Sequence, residues 1–446
     1  MGADAKRELT EALDRLGSEI VHVGLFDHAA SFRERRLGRA ELIASAATAL
    51  FANVIGKWDT GEAILFPGPY RSETIAYDVS SLRPYPFEPK AAVLVADFTG
   101  PERDLAPRAV LRAQLARAAA MGFAVEAAFE FEFIVLAETA ESLRAKNFAS
   151  LTPFAPDNRC WSGQTAATHA PFVAALEECL KQGGIALHSL SVELGPGCFE
   201  ATLRHGEGLG AADDAAFFRL FTKAFCRQRG LTASFMALTG DGFPGIGGHL
   251  SLSLRDLKTG ANAFAAQANP HGLSSLANHF LAGLIATVPE VFPLIANTVN
   301  AYRRLAPGSW APKTVSWAPY NYAAAVRVAA ETEAMTRLEL RLPGSDLNPH
   351  LAMAAMLAAG LDGIARKAPL AAPPIASGGP NEIPEGVERL PADLLEATRK
   401  FRASARAKAI FGEAFVAHFA AICEAEDASL RRAVSAAELR RYLELG

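Results

Sequence analysis

AFEFEF, residues 128–133, is the stretch around which the chain organises itself. In a strand successive side chains point to opposite faces, so Glu130 and Glu132 share one face and Phe129, Phe131 and Phe133 the other. The phenylalanine face requires a core. The carboxylate face is expensive inside an apolar sheet unless something cationic neutralises it. A half-solvated strand with an exposed glutamate face fits this one segment equally well, so its neighbours in the sequence must decide.

Three further segments have the same character. SVELGPGCFEATLR (191–204) turns at Gly195-Pro196-Gly197 and carries Glu193 before the turn and Glu200 on the return strand. GIGGHLSLSL (245–254) alternates so that His249, Ser251 and Ser253 oppose a row of leucines. TRLELRLP (336–343) puts Arg337, Glu339 and Arg341 on one face and Leu338, Leu340 and Leu342 on the other. NAYRRLAPGSWAP (300–312) adds Arg303 and Arg304 before a Pro-Gly turn, and YNYAAAVRV (320–328) adds Arg327. Each reads singly as an ordinary hairpin rim, core histidine or salt-bridged face. Together they give five glutamates, one histidine and several arginines on strands. Oxygen-rich ligation with one imidazole suits Mg²⁺ or Mn²⁺ and does not suit a structural zinc. Hard cations beside arginines are what phosphoryl transfer requires, because negative charge must be held while a phosphate moves. The sequence has no GxxxxGK[ST] loop and no kinase signature, so a nucleotide site here is of a non-P-loop kind.

Outward from these segments, the chain has 446 residues, 50% hydrophobic and 21% charged, enough for a large core and too apolar for disorder. The net charge of −4 gives no basic footprint for nucleic acid. The polar amino terminus has no signal-type apolar run, and the most apolar segment, 280–296, is interrupted by Pro289, Glu290 and Pro293, so no membrane span is expected. Five cysteines, an odd number without a CxxC pair, fit a reduced cytoplasmic protein. IVHVGLF (20–26) and YPFEPKAAVLVADF (85–98) read as strands, with short strands expected in the turn-rich 54–74 between them. PRAVLRAQLARAAAMG (107–122) reads as a helix started by Pro107 and stopped by Gly122. From there strands alternate with Ala-rich helices, broken by an Ala/Pro linker at 368–386. A boundary near residue 105 divides the chain into a small unit, 1–105, and a large α+β unit, 106–446.

In this order the segments resemble the glutamine synthetase family along nearly the whole chain. The likeness is carried by the ExE strand (Glu130, Glu132), the ExGPGxxE hairpin (Glu193, Glu200) and the GxGxH strand (His249). It continues in the N-x-Y-R-R-L-x-P-G turn, the R-x-E-x-R strand (Arg337, Glu339, Arg341), the N-P-x-L (Asn348, Pro349, Leu351) and the closing helices LPADLLEAT and AELRRYLEL. The resemblance implies an N-terminal β-grasp domain and a catalytic domain whose curved antiparallel sheet forms a funnel. ATP would enter one end and a glutamate-like acid the other, with two or three Mg²⁺ or Mn²⁺ ions at the waist. By motif position, Glu132, Glu193 and Glu200 would hold one ion, and Glu130, His249 and Glu339 another. Arg304 and Arg341 would clamp the acid beside Gly245, and Arg327, Arg337 and Ser251 would lie near the nucleotide phosphates. The family also implies self-association into stacked rings, a dodecamer, with residues around Trp58, Asp59 and Asp78 reaching a partner's site.

The departures from the family pattern bear on the second substrate. Trp310 stands where ammonia-using members carry a glutamate in P-G-x-E-A-P, Ser251 replaces a second histidine, and Tyr322 replaces the arginine of N-R-S. Pro244-Gly245 replaces Asn-Gly, and Cys198 replaces the Gln of GPGQxE. A packed thiol is the reading for Cys198, which has no histidine partner in sequence. The W-A-P loop and FGEAFVAHF (411–419) resemble the γ-glutamyl-polyamine and γ-glutamyl-amide branch more than true glutamine synthetases. The expected activity is therefore an ATP-dependent carboxylate–amine ligase that passes through an acyl phosphate, with Trp310 among its substrate-binding residues and an organic amine as acceptor. Two alternatives stand beside it: a catalytically silent paralogue with a regulatory or assembly role, or an ammonia-using glutamine synthetase.

Overall fold

The N-terminal strands assemble into a six-stranded mixed sheet. They are β1 (Ile20–Phe26), β2 (Phe32–Gly38), β3 (Leu50–Ala52), β4 (Ser72–Tyr77), β5 (Arg83–Pro84) and β6 (Ala91–Phe98), in the order β2-β1-β6-β4-β3 with β5 on β6. The centre is the parallel pair β1–β6, whose residues are almost all buried. Period two gives β6 two partners. Leu94, Ala96 and Phe98 pack with Leu9 and Leu13 of the helix Ala3–Leu16, whereas Val93 and Val95 pack, with Phe26, into the core of the following unit. This is a β-grasp-type arrangement. Of the short strands expected over 54–74, only the start of β4 at Ser72 forms. Asn53–Gly56 is a 3-10 turn and a single bridge joins Trp58 to Ile64. Pro67 and Pro69 lack the N–H a ladder needs.

The computed structural model describes residues 3–306, 308–379 and 382–445; Pro307 of the Pro-Gly turn and Pro380-Asn381 of the linker lie outside the described residues. The second sheet has nine strands: β7 (Phe123–Leu136), β8 (Leu187–Val192), β9 (Cys198–Leu203), β10 (Gly206–Glu207), β11 (Thr232–Ser234), β12 (Gly248–Asp256), β13 (Trp317–Pro319), β14 (Val326–Ala329) and β15 (Arg337–Leu340). Its order is β13-β14-β15-β12-β7-β9-β8, with β10 and β11 also on β7. The pairings are antiparallel except β13–β14, which is parallel. The curled half-barrel turns its apolar face to the helices. Phe129, Phe131, Phe133 and Phe199 are fully buried, together with Phe217, Phe218, Phe221 and Phe225 of the helix Gly208–Arg227.

Behind this layer the helices Ser275–Val291 and Pro349–Ala365 cross at Gly283 and Gly363. A Cβ on Gly283 would lie 2.3 Å from the Ala359 carbonyl oxygen and 2.8 Å from the Gly363 Cα, so only glycine lets the backbones touch. Pro289 lies inside the first of these helices, which continues to Val291. With the following 3-10 turn it is, among the described residues, the one segment long and apolar enough to cross a membrane. It is mostly buried within this core.

Beside these apolar contacts, the seam between the units carries a buried polar group. Arg108, in the first turn of the helix Pro107–Ala120, is buried and pairs with Asp78 (2.7 Å), Asp97 (2.5 Å) and Asp213 (2.7 Å). His350 Nε2 completes the group 2.9 Å from Asp213. Asn348 caps the helix Pro349–Ala365 and donates through Nδ2 to the carbonyls of Asp27 (3.2 Å) and His28 (3.0 Å). The buried His28 meets His418 of the helix Glu413–Arg432, Nε2 to Nε2 at 3.2 Å.

Candidate active site

Strand register brings the motif residues together. β7 lies between β9 and β12, so Glu132 faces Glu200 across one ladder and Glu130 faces His249 across the other. One strand further, β12 pairs Ser251 with Glu339 of β15, and β15 pairs Glu339 with Arg327 of β14. All these side chains rise from the face opposite the phenylalanines. The inference from AFEFEF therefore holds, because the apolar half of β7 is consumed by the helical layer.

Among the described residues, one group of acidic, histidine or cysteine side chains brings three ligand atoms within 4.8 Å of one another, namely Glu130, His249 and Glu339. His249 Nδ1 is 2.8 Å from Glu130 Oε1 and 3.8 Å from Glu339 Oε1. The other expected set is looser. Glu132 Oε2 accepts from the Gly247 amide at 3.0 Å, and Glu193 Oε1 accepts from its neighbour's amide, Leu194 N, at 2.9 Å and from the Cys160 thiol at 3.1 Å. Electrostatics nevertheless bind the two sets into one site. Burial, and then the charges of Glu130, Glu132 and Glu193, push the Glu200 carboxyl far above the carboxylate range. Burial raises Glu132 as well. For Glu130 burial acts the same way, but the His249 hydrogen bond and charge, with Arg341 and Arg327 behind, overcome it and hold its carboxyl low. Carboxylates that cannot all ionise together fit a site made for hard divalent cations, and the oxygen-rich donor set with one imidazole is of that chemistry.

The arginines divide by environment. Arg327 and Arg341 each pair with one oxygen of Glu339, and their guanidinium carbons lie 4.6 and 5.0 Å from the Tyr322 ring centroid. Arg341 Nε also donates to the Tyr322 carbonyl at 2.9 Å. Arg304 is buried, and among the described residues no carboxylate lies within salt-bridge distance of it. It donates to the Leu342 carbonyl (2.9 Å) and, at longer range, to that of Arg341 (3.4 Å), and its Nε has no partner among the described residues. Gly245 and Gly247 give it room, since a Cβ on either would stand 3.0 Å from the Arg304 side chain. Trp310 projects from its loop, 66% exposed, while Lys313 closes that loop by donating to the carbonyls of Ser309 (2.7 Å) and Ala311 (3.0 Å). Toward the other mouth, Ser251, Arg327, Arg337, His188, Arg204 and His205 line a cavity of about 500 Å³. Arg337 there is tied to the Met335 carbonyl at 3.0 Å.

Asp78 pairs with Arg108 (2.7 Å) and Arg112 (3.3 Å) of its own chain. Asp59 accepts from the amides of Gly61 and Ala63 within its own turn, and Trp58 lies 4.9 Å under Arg33. Cys198 is buried beside Ile134, Leu136 and Ile246, and burial lifts its thiol well above the ordinary range, as a packed cysteine requires. The sequence reading missed the Cys160–Glu193 contact, the Lys313 closure and the stacking of Tyr322. None has a periodic signature.

Residues 104–442 match the glutamine synthetase catalytic-domain family. The chain belongs to the glutamine synthetase family. Within it, the chain is 34% identical over 406 residues to type-1 glutamine synthetase 2 of Dictyostelium discoideum, covering 89% of this chain and 78% of that one. It is 30% identical to a glutamate–isopropylamine ligase of a Pseudomonas species over the full length of both. Against the γ-glutamylethanolamide synthetase GlnA4 of Streptomyces coelicolor the identity is 33%, covering 87% and 81%. A solved structure of GmaS without ligand superposes with a TM-score of 0.82 at 27% identity, covering 98% of this chain and 99% of that one. A GmaS complex with ADP gives 0.82 at 28% over the same shares.

Proposed function

We propose that the chain is an ATP-dependent carboxylate–amine ligase, joining the γ-carboxylate of glutamate or a similar acid to an organic amine. The observation that carries this reading is the pairing of the crowded carboxylate–imidazole site with Arg304, a buried guanidinium whose Nε has no hydrogen-bond partner among the described residues. The first fits divalent cations, and the second is shaped for a substrate carboxylate. Relatives that are ligases of glutamate with isopropylamine or ethanolamine, and a neighbour that binds ADP, support it.

In this reading the acid lies between Arg304 and Arg341, and its γ-carboxylate oxygen attacks the terminal phosphorus of ATP, giving an acyl phosphate and ADP. Arg327 and Arg337, with Ser251, face the phosphates. Glu130, His249 and Glu339 would hold one divalent ion and Glu132, Glu193 and Glu200 another. Bound there, Mg²⁺ or Mn²⁺ supplies charge neutralisation for the transferring phosphoryl group. The amine then displaces phosphate from the acyl carbon. An alkylammonium has a pKa near 10 and must first lose a proton. Trp310 supplies no carboxylate for that, and its exposed indole offers stacking to an apolar or aromatic amine instead. The chain divides at about residue 105 into the β-grasp and catalytic units. It works as a homo-oligomer of stacked rings in the cytoplasm, where its five free cysteines stay reduced, with residues around Trp58, Asp59 and Asp78 toward a neighbour's site.

The test is phosphate release from ATP with glutamate, comparing ammonium, methylamine, isopropylamine, putrescine and an arylamine. Release that requires both acid and amine, with ammonium the poorest acceptor, is expected. Highest kcat/KM with ammonium would make the protein a glutamine synthetase. Absence of any acid-dependent release would overturn the ligase reading.

A further inference from the structure

Tyr322 stands where the family pattern has an arginine, and the structure gives that substitution a positive content. Its ring lies 4.6 Å from the Arg327 guanidinium carbon and 5.0 Å from that of Arg341, although these residues come from different segments. The same two guanidiniums each take one oxygen of Glu339. Tyr322 is 64% exposed. Its backbone carbonyl anchors Arg341 Nε at 2.9 Å. A side chain this exposed contributes little to the core, so its organised contacts are the two cations.

We infer that Tyr322 is a positioning residue: its aromatic face holds Arg327 and Arg341 in the planes from which they meet Glu339 and the substrates. The deduction rests on the ligase reading for its kinetic consequence but not for its geometry. A guanidinium has four or more rotatable bonds behind it, and a carboxylate alone leaves the plane of each free to swing. A ring face restricts that plane through the attraction of its quadrupole for the cation. The aromatic face carries this role and the hydroxyl does not.

The experiment compares Tyr322→Phe with Tyr322→Leu, which fills similar volume without a π face. Two readouts are taken on the full chain. The first is kcat and KM for acid and ATP. The second is the rate at which phenylglyoxal labels Arg327 and Arg341 in the absence of substrates, followed by peptide mass spectrometry. Two exposed cation–π contacts correspond to about tenfold. Tyr322→Leu should therefore lose about tenfold in kcat/KM and label faster at both arginines, while Tyr322→Phe stays within about twofold of the parent in both readouts. A phenylalanine variant as impaired as the leucine variant would transfer the role to the hydroxyl and overturn the inference. So would a leucine variant that matches the parent. If the parent shows no acid-dependent turnover, the ligase reading fails, and the labelling ratio alone decides whether the ring holds the arginines.

Discussion

Arg304→Met separates the two things a buried arginine can do. Burial, partly offset by Glu132 and reinforced by Arg341, drags the guanidinium well below its ordinary range, to about 10. At about 1.36 kcal/mol per pKa unit, the charged form is held at a cost of about 3 kcal/mol. Set against it are one good hydrogen bond to the Leu342 carbonyl and a long one to that of Arg341. Removing them from acceptors left dry costs about 2–3 kcal/mol. The two nearly cancel, so the methionine variant should unfold within about 1 kcal/mol of the parent. Function should respond differently. Truncating one side of a buried charge pair costs about 2–5 kcal/mol, so kcat/KM for the acid should fall between about thirtyfold and several thousandfold. The assay is urea denaturation beside an acid titration at saturating ATP and amine. A variant that loses several kcal/mol of stability while its dependence on acid is unchanged would mean that Arg304 is a strut, and the reasoning would be wrong.

Glu132→Ala should remove turnover without unfolding the chain. Mn²⁺ at about a hundred times its Kd should stabilise the parent by about 2.7 kcal/mol, and the variant should lose most of that gain; an equal thermal shift in both would exclude Glu132 as a ligand. Arg108→Ala leaves the buried Asp213 with only His350, which should cost about 3–5 kcal/mol in denaturation; a loss below about 1 kcal/mol would show that apolar contacts alone hold the seam. Burial lowers His28 to about 3, with His418 adding to it, and lowers His418 to about 4, with Lys57 adding. Because both folded values lie below the ordinary 6.5, this contribution is intact above pH 6.5 and fades as pH falls toward 4, at about 1.4 kcal/mol per histidine per pH unit. Between pH 7.5 and 5.5 the parent should lose nearly 3 kcal/mol from the pair and His418→Phe about half of that; identical losses would contradict the assignment.

Much of the site was legible because strand periodicity is a local property. Glu130 with Glu132, and His249 with Ser251, fall on one face whatever their partners, and the glycine and proline punctuation located the hairpin at 195–197. What the alternation could not supply was adjacency. That β7 sits between β9 and β12, with β15 beyond, depends on pairings across scores of residues and on the helices behind them. The same limit hid the partner of Asp78, since Arg108, which donates to it at 2.7 Å, lies thirty positions away in sequence. Tyr322 was read from its motif slot as a lost arginine, since no pattern along the chain reveals a ring between two guanidiniums.

The two-sided packing of β6 also constrains ancestry. Its even-numbered side chains answer to the helix Ala3–Leu16, and Val93 and Val95 answer to the large unit. Recombination near residue 105 could not graft the first segment of a relative onto this catalytic half unless positions 26, 93 and 95 came with matching shapes. The joint that looks like the natural place to cut is therefore one where lineages can exchange parts only as co-adapted sets, and the two halves are bound to diverge together.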